Sequence, residues 1–249
     1  MRPTPRSTRR AVIALVACAL FAGFVALGSW QVQRRAWKLD LIDRVEARVH
    51  APPVVAPARA PASERWSAVD VANDEYRHVQ ASGVFLRDAD TFVQAVTERG
   101  AGFWLLTPLQ LADGSIVIVN RGFVPPESRD RVAAVTGTVK VTGLLRLTEP
   151  GGGFLRRNES AVNRWYSRDV QAIAIARGLN KVAPYFIDAD ADADAGAGMP
   201  DSNAPVGGLT VIAFTNNHLV YAITWFTLAL MVASGGWRLM REEQSGGYD

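Results

Sequence analysis

Ala11–Gly28 reads AVIALVACALFAGFVALG, eighteen residues without one charged side chain. As a helix this run is roughly 27 Å long, close to the thickness of a bilayer's hydrocarbon core, and Trp30 follows where an interfacial anchor belongs. A signal-peptide core is shorter, about 7–15 residues, although Ala26 and Gly28 resemble a cleavage site. The run is therefore read as a retained span. A second uncharged run, Leu219–Trp237, is stopped by Arg238. Two spans put both chain ends on one side of the membrane. The chain has 249 residues, 27 Lys and Arg against 24 Asp and Glu, and slightly positive mean hydropathy. That length leaves room for one sizeable domain between the spans.

The placement of charge sharpens this reading. Arg2, Arg6, Arg9 and Arg10 stand in the first ten residues without an acidic partner, whereas the segment between the spans is balanced. A nucleic-acid-binding protein carries its basic excess on the folded part, so nucleic acid is excluded as a partner. A basic leading tail favours a cytoplasmic start, with Arg34, Arg35 and Lys38 beyond the first span pulling the other way. An alanine- and arginine-rich chain of this kind suits a bacterial inner membrane, with the central domain in the periplasm. Cys18 is the single cysteine, which removes disulfides, Cys-x-x-Cys pairs and cysteine zinc sites. His50, His78 and His218 are the three histidines, and no HExxH motif is present.

The expected organisation is a basic tail (1–10), a first transmembrane helix (11–30) and a juxtamembrane helix (31–50). A proline-rich linker (51–65) containing Pro52, Pro53, Pro57 and Pro61 leads to a β-rich domain (66–217). A second transmembrane helix (218–237) and a tail (238–249) complete the chain. Apolar and β-branched runs place strands at Tyr76–Phe85, Thr91–Thr97, Phe103–Leu111, Ser115–Phe123, Thr138–Leu147, Tyr185–Ile187 and Leu209–Phe214. Asp113-Gly114 is a hairpin signal, and Asp169–Arg177 reads as a short helix ending at Gly178. With no regular crossover helices, the fold class is α+β: two transmembrane helices flanking a mostly antiparallel β-rich domain.

Residues 188–204 read as a flexible, solvated Asp/Ala-rich insertion. Asp190, Asp192 and Asp194 have the first spacings of a calcium loop, but Ala195 and Asp201 stand where that loop needs Gly and Glu. Asn120-Arg121-Gly122 reads as a strand ending in a turn, with Arg121 paired to a carboxylate or carbonyl. Gly83 reads as a bulge or a close strand approach.

The candidate site lies at the start of the second span. His218, Tyr221, Ala222 and Trp225 share one helical face. In the first span Ala19, Ala22, Gly23 and Ala26 form a small-residue stripe ending at Trp30. If the two faces meet, they frame an aromatic-lined slot beside an imidazole. Such a slot suits a flat iron-bearing ring, with Arg34, Arg35 and Lys38 one to two turns beyond to meet its carboxylates. Spacing alone serves equally for helix packing, interfacial anchoring and a histidine facing headgroups.

Several motifs together resemble the SURF1 family. They are Leu27-Gly28-Ser29-Trp30-Gln31-Val32-Gln33-Arg34 with Trp37-Lys38, then Tyr76-Arg77 with Gly83 and Phe85, and Leu106-Thr107-Pro108-Leu109. Val119-Asn120-Arg121-Gly122-Phe123-Val124-Pro125 follows, and Asn216-Asn217-His218-Leu219 with Tyr221-Ala222 and Thr224-Trp225-Phe226 completes the set in order. Phe123 stands where the family usually has Trp, and His78 where a basic residue is common. The resemblance implies a membrane assembly factor, not an enzyme, serving haem-copper cytochrome c oxidase. It implies haem a held transiently and delivered to oxidase subunit I, with His218 as the iron ligand through either ring nitrogen. Tyr221, Trp225, Trp30, Arg34 and Lys38 would line that site, and the partners would be oxidase subunit I, the haem a synthesis enzymes and the bilayer. The alternative is a haem-free scaffold stabilising an early subunit I intermediate. A transmembrane sensor fits poorly, because the tails are too short for an output domain.

Overall fold

The computed structural model describes residues 5–57, 66, 69–86, 88–153, 155–191, 204–210, 212 and 216–245. The chain divides into two compact units: residues 1–44 with 213–249, and residues 45–212.

The leading apolar run and the juxtamembrane segment are one helix, α1 (Pro5–Val49), whose residues up to 44 belong to the first unit. Its interior lacks proline, and it stops just before Pro52-Pro53, which cannot continue it. The other long helix of this unit, α3, covers His218–Ser245. Both are long and apolar enough to cross a membrane. Leu15 on α1 is 71% exposed and Leu230 on α3 is 67% exposed, so the outward surfaces of this unit are apolar, as lipid contact demands.

The second unit is the β-rich domain, confirming the α+β class with a mostly antiparallel sheet. Its strands are β1 (Val54–Val55), β2 (His78–Phe85), β3 (Thr91–Thr97), β4 (Gly100–Leu111), β5 (Ile116–Val124), β6 (Thr138–Leu147), the short β7 (Gly152–Gly153) and β8 (Arg156–Arg157), and β9 (Val182–Ala189). The helix α2 (Val170–Ala176) is capped by Asp169, whose Oδ1 accepts from the Ala172 N–H at 3.0 Å.

The main sheet runs β1-β2-β6-β9-β5-β4-β3, and β2 pairs with β4 as well. That pairing closes β2, β6, β9, β5 and β4 into a five-stranded barrel. β2 shares one edge between two neighbours, with Val79 and Gln80 facing β1 and Gly83 to Phe85 facing β4. Closure depends on Gly83: a Cβ there would lie 2.2 Å from the Gln110 carbonyl oxygen. This is the close strand approach the sequence offered as one reading.

Period-two alternation separates two cores. Phe85, Leu109, Val117, Val119, Val141, Leu145, Tyr185 and Ile187 fill one cluster. Intervening residues Leu106, Ile118 and Phe186 join Val93, Trp165, Val170 and Ile173 in a second cluster involving α2. β5 contributes to both, which is why its whole length is buried.

Four expectations need correction. Asn120-Arg121-Gly122 does not end in a turn: Leu105 pairs with Gly122 and Leu106 with Asn120, making Arg121 the extra residue of a β-bulge inside β5. The proline-rich linker contributes β1 to the sheet, because Val54 and Val55 can pair beside β2 before the chain leaves at Ala56. The Asp/Ala insertion does not begin at 188: Asp188 and Ala189 are buried β9 residues. Asp190 follows as the acceptor of His78 Nε2 at 2.9 Å. Asp192, Asp194, Ala195 and Asp201 lie outside the described residues. Of the expected strand at Leu209–Phe214, the described residues Leu209, Thr210 and Ile212 are irregular.

Candidate functional site

His218 is the first residue of α3, so its side chain sits beside an open helix end. Its Nδ1 lies 2.7 Å from Oε1 of Gln31 on α1. The residues below repeat this meeting. Phe24 stacks on Trp225 with ring centroids 5.7 Å apart and planes inclined by 26°. Gly28 is buried beneath Phe226, whose ring carbons would lie 2.8 Å from a Cβ at that position. A Cβ added at Gly236 would lie 3.7 Å from the Ala17 side chain. The contacting residues of α1 are thus 17, 24, 28 and 31, and those of α3 include 218, 225, 226 and 236.

The small-residue stripe is therefore not the packing face. Ala19, Ala22 and Ala26 are exposed, and a Cβ on Gly23 would touch nothing within 4 Å. The slot expected between the stripes is not formed: Phe24 stacks on Trp225, Phe226 lies over Gly28, and Ala222 and Ala229 of α3 are buried. Bulky flat rings supply more dispersion contact than an alanine stripe, and Gly28 makes the room that one of them needs. The overlooked signal was a seven-residue repeat, Ala17, Phe24 and Gln31, matched by His218 and Trp225.

The other candidate residues are placed as follows. Trp225 is half-buried in the contact, whereas Tyr221 and Trp30 are each 54% exposed outside it. The guanidinium of Arg34 stands 4.0 Å from the centroid of the Trp37 ring. Arg35 and Lys38 lie four and seven residues beyond Gln31, on the same helical face as the residue that meets His218. Asn216 Oδ1 is buried without a hydrogen-bond partner, two residues before the imidazole.

These residues provide a test of fit for a haem. An amide oxygen only accepts, so with Oε1 turned to the ring the contact calls for the proton on Nδ1, and in the neutral imidazole Nε2 then keeps its lone pair. Nε2 has no protein partner among the described residues. A ligating imidazole needs that arrangement, with one nitrogen tied to an acceptor and the other open. The donor chemistry fits. A flat ring would lie on the exposed side of His218, because Phe24 stacks on Trp225 where the slot was expected.

The model of the SURF1 family matches residues 18–230, a stretch running from α1 through the barrel into α3. The chain belongs to the SURF1 family. It is 36% identical over 225 residues to Surfeit locus protein 1 of Mus musculus, covering 81% of this chain and 67% of that one. Against Surfeit locus protein 1 of Homo sapiens the identity is 35% over 225 residues, covering 82% and 69%. A SURF1-like protein of Monosiga brevicollis is 34% identical over 219 residues, covering 82% and 78%.

Within the β-rich unit of this SURF1 protein, sequence reasoning missed a buried ionic network. Asp188, 3% exposed, accepts from Asn120 Nδ2 at 2.7 Å, Arg168 Nη1 at 3.0 Å, Arg146 Nη1 at 3.1 Å and Thr210 Oγ1 at 3.0 Å. Arg168 also grips Glu149 with a two-pronged contact, Nε to Oε2 at 3.0 Å and Nη2 to Oε1 at 2.6 Å. Arg146 Nε donates to Glu75 Oε1 at 2.9 Å. Burial pushes the Glu149 carboxyl up, but hydrogen bonds and charge from Arg168 outweigh it and hold the group below its usual range. Burial opposes the charge of Arg168, yet Asp188 and Glu149 raise its value above the ordinary one.

This network lies at a cavity of about 560 Å³ also bordered by Trp104 and Leu209. Every Asp188 lone-pair direction is taken, so the cluster ties β5, β6 and β9 together rather than offering a base. In the motif segments, the Arg121 guanidinium sits 5.3 Å from the Phe85 ring centroid. Phe123, at the family's usual Trp position, packs edge-on against Trp104.

Proposed function

We propose that this SURF1 protein is an assembly factor for haem-copper cytochrome c oxidase, the complex to whose assembly the family is linked. It holds haem a transiently and assists its insertion into subunit I. The reading places the chain in a bacterial inner membrane, both ends cytoplasmic and the barrel domain periplasmic, between the haem a synthesis enzymes and apo-subunit I.

The observation that carries it is His218, whose Nε2 stands open at the end of an aromatic helix pair while Nδ1 is engaged by Gln31. When bound, the haem would supply an iron that an imidazole nitrogen can ligate. His218 would hold that iron through Nε2, Tyr221 and Trp225 would offer aromatic surface, and Trp30 would flank the ring from α1. Arg34, Arg35 and Lys38 would meet the propionates. Among the described residues no three His, Cys, Asp or Glu side chains gather to hold a metal ion. A single protein ligand suits a carrier, since one exchangeable bond is all that transfer must break. The chain's work on this reading is binding and delivery, so it is not an enzyme.

The test is to co-express the full chain with haem a synthesis enzymes, purify it, and measure haem per protein and the visible spectrum. His218→Ala is expected to lose most of the haem. Full haem with an unchanged spectrum in that variant refutes the ligand assignment. Co-purification with subunit I without haem in the wild type establishes the haem-free scaffold instead.

A further inference from the structure

We infer that Gln31 is a positioning residue for the haem site: its amide oxygen holds the proton of His218 on Nδ1 and thereby makes Nε2 the iron-ligating atom. This rests on the haem reading above and extends it to a residue 187 positions away in sequence. A neutral imidazole carries one N–H, and in free solution the proton passes between the two nitrogens. While Oε1 rather than the amide nitrogen faces the ring, the 2.7 Å contact selects the tautomer that carries its proton on Nδ1.

The contact is held from below. Phe24 against Trp225 and Gly28 beneath Phe226 lie two turns and one turn down α1 from Gln31, so the amide is carried to the imidazole by the same helix packing that forms the unit. In a low-dielectric surround such a bond is stronger than it is in water, and the tautomer is correspondingly well defined. Gln31 also shares its helix face with Arg35 and Lys38, which aligns the acceptor with the cations expected to meet the propionates.

The choice of an amide matters for delivery. A carboxylate behind the ligating imidazole raises its basicity and strengthens the metal bond. A neutral amide fixes the ring without that push, so the iron–imidazole bond stays exchangeable. Gln31 thus sets both which nitrogen binds and how readily the haem leaves.

The experiment uses the full chain in nanodiscs, with wild type, Gln31→Leu, Gln31→Glu and His218→Ala. In the haem-free protein, nitrogen NMR of ¹⁵N-labelled histidine is expected to show the proton on Nδ1 in the wild type and a tautomer mixture in Gln31→Leu. With haem a, Gln31→Leu is expected to weaken binding about 10–100-fold, the usual effect of removing an outer partner of a metal ligand. Gln31→Glu keeps an acceptor and restores binding, but its iron midpoint potential falls and its haem passes to apomyoglobin more slowly than from the wild type. A merely structural glutamine predicts loss of stability in both variants without a tautomer change or a shift in potential. His218-dependent haem with Gln31→Leu indistinguishable from wild type overturns the positioning role alone. Absence of haem from the wild type overturns the haem reading and this role with it.

Discussion

Replacing Arg168 by Met tests whether the ionic network holds the barrel together. The arginine side chain is 14% exposed and joins Glu149 to Asp188. Severing a buried pair by removing one partner costs about 3–5 kcal/mol. Two features pull the value to the lower end. Glu149 is 37% exposed and can turn to water, and Asp188 keeps Arg146, Asn120 and Thr210 as donors. The expected loss is therefore about 3 kcal/mol. For a domain of this size that corresponds to a fall in Tm of about 6–12 °C.

Near-UV circular dichroism of the purified full chain reports on it, because Trp165 is 1% exposed in the second core and loses its fixed surroundings when the barrel opens. The pH dependence has a defined sign. Glu149 has a lowered value in the folded state, so its contribution is present above the ordinary carboxylate range and is lost as pH falls through its folded value. The gap between wild type and Arg168→Met should narrow on acidification. A shift below about 2 °C at neutral pH refutes the reasoning, since it would place the net value of the pair near that of a surface contact.

Two further outcomes follow from other parts of the barrel unit. Burial opposes the charged form of His78, but hydrogen bonds to Asp190 Oδ2 and the Ala51 carbonyl outweigh it and raise its value. Wild type should therefore exceed His78→Gln in Tm by the full margin below about pH 6.5 and lose that margin as pH rises through the raised folded value; a margin that grows with pH contradicts this. Gly83→Ala forces a methyl against the Gln110 carbonyl and should destabilise the barrel by about 1–3 kcal/mol, with hydrogen exchange accelerated in β2 and β4; unchanged protection of those strands counts against the closure described here.

Both long apolar helices, the strands at Thr91–Thr97 and Thr138–Leu147, and the short helix before Gly178 were legible in the sequence. Each is governed by local periodicity, composition and punctuation, which a linear reading can follow. The β-bulge at Arg121 was not legible, because a bulge is a property of two paired strands. Asp188 was masked by its own neighbourhood: it opens an Asp/Ala repeat whose composition suggests solvent, yet its donors come from Asn120, Arg146, Arg168 and Thr210.

The sequence by itself determined the two apolar helices, the β-rich segment between them, the SURF1 family and His218 as the residue of interest. Tertiary structure alone decided that β2 meets β4 to close a barrel, that Phe24 and Gly28 rather than the Ala19–Ala26 stripe of α1 face α3, and that Gln31 stands behind the imidazole. Helix and strand formation depend on neighbours a few residues apart. Closure, ring packing and a hydrogen bond across 187 residues depend on which surfaces can approach, and that is set only when the whole chain has packed.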